Sequence, residues 1–215
     1  MAVVTAPILS FSASGAIAKT VVFASWKGRG YARQYLVPAN PKSTEQMLTR
    51  NTFAWLSDVW KISPAEFRAP WAAYAKGLVM TDRNAWIMKN NGNLRDGSDL
   101  DGIVLSPGAA GGLSIAPTIT GGAGSITATM AVPSPLPPGW TIVSAVLVAI
   151  KEQSPQEGTD FQMHVMADSA TPFAPAISGV AAGEYQAGAW FVYQRSPAAT
   201  DLAYGAANGQ LVTVT

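Results

Sequence analysis

The chain has no cysteine and one histidine, His164, among 215 residues. Lack of cysteine excludes a disulfide framework and a thiolate metal site. It leaves the compartment open, since cysteine-free chains occur in cytosol and exterior alike. Charge is sparse as well, 13% of residues against 48% apolar, a balance that favours a folded chain over a disordered one. No uninterrupted apolar run approaches the roughly 20 residues that span a bilayer. No basic segment precedes Ala2-Val3-Val4, so no signal peptide is expected and folding in a cytoplasm is. Acid is absent from Met1 to Thr44, where Lys19, Lys27, Arg29, Arg33 and Lys42 stand alone.

What is present is glycine and proline, 20 and 15 residues, which indicates many turns and a β-rich part. The length fits one large domain or two small ones. The net charge of +1 hides an asymmetry. Residues 1–101 hold 12 of the 14 bases and 7 acids, hence +5, and the remainder holds 2 bases and 6 acids, hence −4. A basic half of this kind is either a solvated face or a docking arm for an acidic partner or nucleic acid. No nucleic-acid recognition fold accompanies it.

The densest stretch runs from Trp26 to Tyr35, with three cations, two glycines and three aromatics in ten residues. The preceding segment from Ala16 to Trp26 is β-branched and partly alternating, with Ile17, Lys19, Val21 and Phe23 on one face. Gly15 suits a turn between short strands. Lys27-Gly28-Arg29-Gly30 reads as a hairpin turn and Tyr31 to Val37 as the return strand, ended by Pro38 and Pro41. Trp26, Lys27, Arg29, Tyr31, Arg33 and Tyr35 are therefore the candidate partner-docking residues.

Helical signals follow. Ser43-Thr44-Glu45-Gln46 has the form of a capping box, and Leu48, Trp55, Leu56 and Val59 form an apolar stripe flanked by Phe53 and Trp60. Ser63-Pro64-Ala65-Glu66 reads as a second helix start, with Ile62 and Phe67 as its hydrophobic staple. Phe67, Trp71, Tyr74 and Leu78 recur at helical spacing, and Pro70 should bend that helix or shorten its first turn. A third, short helix is expected from Thr81 through Trp86 and Ile87, stopped by Asn90-Asn91-Gly92. Three helices alone bury little surface. Trp26, Trp55, Trp60, Trp71 and Trp86 would compensate as core, or else present an aromatic contact surface.

Residues 93–112 are rich in Asn, Asp, Ser and Gly and form the expected linker between a docking domain at 1–92 and a second domain at 113–215. Beyond it, strand-like runs at 113–119, 125–132, 141–152, 160–167, 184–194 and 211–214 alternate with turn clusters, the pattern of an antiparallel β-sandwich. In 141–152, Ile142, Ser144, Val146 and Val148 alternate with Val143, Ala145, Leu147 and Ala149, and both sets are apolar enough for a central strand. The expected class is α+β in two parts: short hairpins plus about three helices, then the sandwich.

Candidate chemistry is thin. His164 has Asp160 and Asp168 four residues to either side, about 13 Å apart along a strand and too far for a shared first coordination shell. Asp96, Asp99 and Asp101 lack the glycine position and closing glutamate of a calcium loop. No phosphate loop, dinucleotide fingerprint or nucleophile elbow is present. No catalytic residue, cofactor or metal site is expected. A second reading makes Trp140, Trp190 and Tyr193 an aromatic platform for carbohydrate.

Two resemblances add to this. Val180-Ala181-Ala182-Gly183-Glu184-Tyr185, before Trp190-Phe191-Val192-Tyr193, resembles the corner into strand F of a fibronectin type III or immunoglobulin-like domain, with Tyr185 as the corner tyrosine. Tyr204-Gly205 and Leu211-Val212-Thr213-Val214 resemble the last strand of such modules. The segment 26–75 resembles small virion-associated proteins of tailed bacteriophages and prophages. The residues are Trp26-Lys27-Gly28, Tyr31, Arg33, Asn40-Pro41, Ser43, Gln46, Arg50, Phe53, Trp60, Ser63-Pro64, Trp71, Tyr74 and Ala75. The resemblance implies a non-enzymatic virion protein, in capsid decoration or at the head, neck or tail. It implies other virion proteins as partners, many copies or a homo-oligomer, and no membrane.

Overall fold

A computed structural model describes residues 2–3, 14–26, 29–37, 39–94, 100–108, 116–153, 155, 162–195 and 202–215. It divides the chain into two compact units, Met1–Lys42 and Ser43–Thr215. The expected break at 93–112 is not where the units part.

The first unit is a four-stranded antiparallel sheet of β1 (Ala2–Val3), β2 (Gly15–Ile17), β3 (Val21–Trp26) and β4 (Arg29–Gln34), in the order β1-β4-β3-β2. β2 and β3 are separate strands, where the sequence suggested one run. Ala18 and Lys19 take positive φ values of 47° and 54°, and the Thr20 N–H donates to the Ile17 carbonyl at 2.9 Å. This left-handed two-residue turn suits the twist of a hairpin. Gly15, expected at the turn, begins β2 instead.

The second unit holds α1 (Thr44–Ile62), α2 (Ala65–Ala75), α3 (Asp82–Leu94) and β5 (Val104–Pro107). Then come β6 (Thr118–Gly122), β7 (Ser125–Thr129), β8 (Trp140–Lys151), β9 (Met163–Asp168), β10 (Ala176–Ser178) and β11 (Gly183–Arg195). It ends with β12 (Leu202–Tyr204), β13 (Ala206–Asn208) and β14 (Gln210–Val214). A large sheet runs β9-β8-β11, with β12 and β14 sharing the far edge of β11. A small sheet runs β10-β7-β6, and β13 pairs with β5. All these pairings are antiparallel. Among the described residues, no helix is long and apolar enough to cross a membrane.

Both faces of the large sheet are covered. Val146, Val148, Ile150 and Trp190 join a core with Trp55, Leu56, Phe67, Trp71 and Trp86 of the helices. Ala145, Leu147, Ala149, Tyr185, Ala187, Phe191 and Tyr193 pack on Ile126, Ala128 and Ile177 of the small sheet. The body is therefore three layers, helices on sheet on sheet. The central place expected for the 141–152 strand is what the large sheet gives β8. One detail differs: the ladder between β8 and β11 shifts register between Val192 and Tyr193. This bulge reverses the alternation, so Ile142 packs with the small-sheet side, away from Val146 and Val148.

The helices are knit to the strands of this unit. Phe67 and Trp71 meet Trp86 edge to face at centroid distances of 5.2 and 5.3 Å. The Trp86 indole donates to the Leu56 carbonyl, and the Trp71 indole to that of Leu105 on β5. Leu100, Ile103 and Leu105, inside the expected linker, are fully buried in this core.

Helix ends also depart from expectation. Ser43 precedes α1 but makes no side-chain cap bond. Ser63 closes α1, donating its N–H to Val59 and its hydroxyl to Trp60, while Pro64 takes the N-cap position of α2. Ile62, the expected staple, is exposed whereas Phe67 is buried. α2 continues through Pro70 to Ala75. Asn90 does not stop α3. Its amide is buried, donating to the carbonyls of Trp86 and Val104 and accepting the Val104 N–H at 2.7 Å, so it brackets β5 to the helix.

Candidate docking surface

The hairpin of β3 and β4 forms because Val21-Val22-Phe23-Ala24 is β-branched and aromatic and Tyr31 to Gln34 returns at matching period. Directly paired residues of an antiparallel ladder share a face. The pairs Val22–Arg33, Ala24–Tyr31 and Trp26–Arg29 therefore put Trp26, Arg29, Tyr31 and Arg33 together. Trp26 is 68% exposed, Arg29 and Arg33 are exposed, and Tyr31 is half-buried. Tyr35 lies beyond β4, where its N–H donates to the Thr20 carbonyl at 2.7 Å. Lys27 is outside the described residues.

The opposite face carries Ile17, Val21 and Phe23, brought together by the Ile17–Val21 and Gly15–Phe23 pairs, with Ala32 beside them. Lys19 leaves this face because it sits in the turn. The alternation in the sequence already places Ile17, Val21 and Phe23 on one face. Among the described residues with an assigned burial, none of residues 14–42 is fully buried. An apolar-containing sheet in that condition is the kind of surface other proteins cover.

The tryptophans split accordingly. Trp55, Trp60, Trp71 and Trp86 are core, and Trp26 alone of the five is exposed. The carbohydrate platform does not form. Trp190 and Tyr193 are fully buried on opposite faces of the large sheet, the first against the helices and the second toward the small sheet. Trp140 is half-buried at the margin of the second core. Burial raises the Tyr193 and Tyr204 hydroxyl pKa values.

His164 packs on the Tyr185 ring at 6.2 Å, and its Nε2 is buried with no hydrogen-bond partner. Both oxygens of Asp168 accept backbone N–H bonds, from Ala170 and Ala174. Asp160, Asp96 and Asp99 lie outside the described residues, and Asp101 accepts from the Gln186 amide at 3.1 Å. Among the described residues no three His, Asp or Glu side chains gather where they could hold a metal ion. No protein-family model matches the chain, and no curated protein is significantly similar to it.

Proposed function

We infer that the chain is a non-enzymatic structural protein of a tailed-phage particle. It docks on other virion proteins through its N-terminal sheet and displays the three-layer body. Capsid decoration is the first placement, and a head, neck or tail accessory role the next. The observation that carries this reading is the separate N-terminal sheet: no fully buried side chain among its described residues, and exposed Trp26, Arg29 and Arg33 on one face. Arginine forks and a large aromatic are what a contact surface uses to fix a partner.

The finer fold belongs to the same reading. With β6, β7, β8, β9, β10, β11 and β14 taken as strands A, B, C, C′, E, F and G, the small sheet holds A, B and E and the large one C′, C, F and G. That partition fits a fibronectin type III-like or immunoglobulin-like sandwich. The Tyr185 hydroxyl donates to the Ala181 carbonyl, four residues upstream, at 3.0 Å, as a corner tyrosine does. The test replaces Trp26, Arg29 and Arg33 together and measures copy number in purified particles by quantitative mass spectrometry. Loss from particles of a folded variant is expected; normal occupancy would refute docking through this face.

A further inference from the structure

We propose that the cationic face of the N-terminal sheet is a binding platform for single-stranded nucleic acid. This adds a ligand to the docking face described above and stands on its own geometry, so the two readings are tested apart.

Charge sets the class of ligand. Residues 1–42 hold five bases and no acid, so this unit carries +5. Such a unit attracts a polyanion and holds no carboxylate to repel one. Register then arranges the side chains. The β3–β4 pairs run from Val21–Gln34 to Trp26–Arg29, and the bond from the Tyr35 N–H to the Thr20 carbonyl carries the ladder one pair further. Alternate residues of a strand share a face, so Arg29, Tyr31, Arg33 and Tyr35 form a stripe of cation and aromatic in turn. Trp26 stands beside its end, opposite Arg29. At about 3.3 Å per residue the stripe is about 20 Å long. Trp26, Arg29 and Arg33 are exposed, and Tyr31 and Tyr35 are half-buried. The other face carries Val21, Phe23, Ala32 and Gln34, none of them charged, so both arginines of the hairpin fall on one side.

Chemistry selects nucleic acid among polyanions. Guanidinium groups pair phosphates through parallel N–H donors, and aromatic rings stack bases. A strand that alternates charge with flat rings matches a stripe that does the same. An acidic peptide or a layer of lipid headgroups presents charge without the rings. Shape selects an unpaired strand. β3 and β4 are the middle strands, flanked by β1 at Ala32 and Tyr31 and by β2 at Val21 to Phe23. Four strands set the outer two about 14 Å apart, wider than the roughly 12 Å major groove that admits a helix or a two-stranded ribbon. The stripe from Tyr31 onward therefore suits splayed-out bases and does not enter a duplex. No recognition fold is legible in the sequence because this platform is made by register.

Fluorescence anisotropy of a labelled oligothymidylate of about 15 nucleotides, titrated with the full chain at several salt concentrations, tests this. Binding is expected, with affinity falling on a logarithmic salt slope of about −0.7 per phosphate contact. Arg29→Gln/Arg33→Gln should weaken binding at least about tenfold and flatten that slope by roughly 1.4. Trp26→Ala should weaken it at least about fivefold with the slope unchanged, and Trp26→Phe should keep most of it. Gln34→Ala, on the opposite face, should change nothing. Unchanged circular dichroism and melting temperature show that each variant folds. A duplex of the same length, poly-L-glutamate and vesicles of anionic lipid should all compete poorly. No binding by the wild type, or Trp26→Ala without effect, would overturn the proposal. So would equal competition by the duplex, by poly-L-glutamate or by vesicles, which would give the face to a duplex, an acidic protein or a membrane. Particle occupancy is a separate readout. If the chain ignores the oligonucleotide but the variant replaced at Trp26, Arg29 and Arg33 is lost from particles, this inference fails and docking stands. If the oligonucleotide binds and that variant keeps normal occupancy, docking through this face fails and the inference stands.

Discussion

The N-terminal sheet and the large sheet of the body are built from similar material, β-branched residues and aromatics in alternation, and meet opposite fates. In the body, helices cover one face and three strands the other, so even strand interiors such as Leu147 and Val148 are fully buried. In the N-terminal unit Val21 and Ile17 remain 36% and 48% exposed. Strand-forming sequence makes a sheet in both places. Only a covered sheet turns apolar content into stability, because the gain scales with area removed from water.

The strongest way to break this comparison is in the core. Trp190→Ala empties the helix-facing side of the large sheet and should cost about 3–5 kcal/mol in chemical denaturation. A loss comparable to a surface change would mean the helices do not depend on that face. Asn90→Ala leaves the Val104 N–H and carbonyl without their bracket. It should cost about 2 kcal/mol and raise hydrogen exchange at Val104. Phe23→Ala in the N-terminal sheet should cost less than about 1 kcal/mol, since nothing covers Phe23 fully. A cost of the Trp190 size would show that this sheet has a core after all.

The mildest test is pH. Tyr193 and Tyr204 have folded-state pKa values raised above the ordinary 10.0 by burial. The folded chain then holds those protons more tightly than the unfolded one. Their contribution is complete below that ordinary value and is lost as pH rises through the higher folded values. Tyr193→Phe should flatten the alkaline fall in melting temperature; an unchanged slope would assign the fall to other groups.

Much of the body was legible. Strands near 125–132, 141–152, 184–194 and 211–214 were expected from alternation, and three helices from capping and spacing. Alternation is set within a few residues, so it survives any tertiary arrangement. What was not legible was set by contacts distant in sequence. The 93–112 stretch has linker composition, yet Leu105 is core because Trp71 and Asn90 reach its strand from the helices. Asn90-Asn91-Gly92 has the chemistry of a helix stop, but a bond across to Val104 gives Asn90 a better use inside the helix. For the docking surface, the residue types were visible, whereas their sharing one face depended on register. The Trp26–Arg29 pairing fixes that register.

The far edge of the large sheet is not one straight strand. β12 and β14 both pair with β11, while β13 between them crosses over to β5. Gly188 and Gly209 make the crossing possible, since a Cβ on either would come within 2.8 Å of Leu105 or 2.6 Å of Ile103. Mechanically this is a lock stitch. The segment is sewn into the sheet, passes through to the helical layer, and is sewn into the sheet again. Tension lifting the helices from the sheet therefore pulls on the β5–β13 ladder and, through it, on both anchors along β11. Among the described residues, backbone pairing as well as side-chain packing thus joins the helical layer to the large sheet, and under load the body should yield in one step rather than shed its helices first.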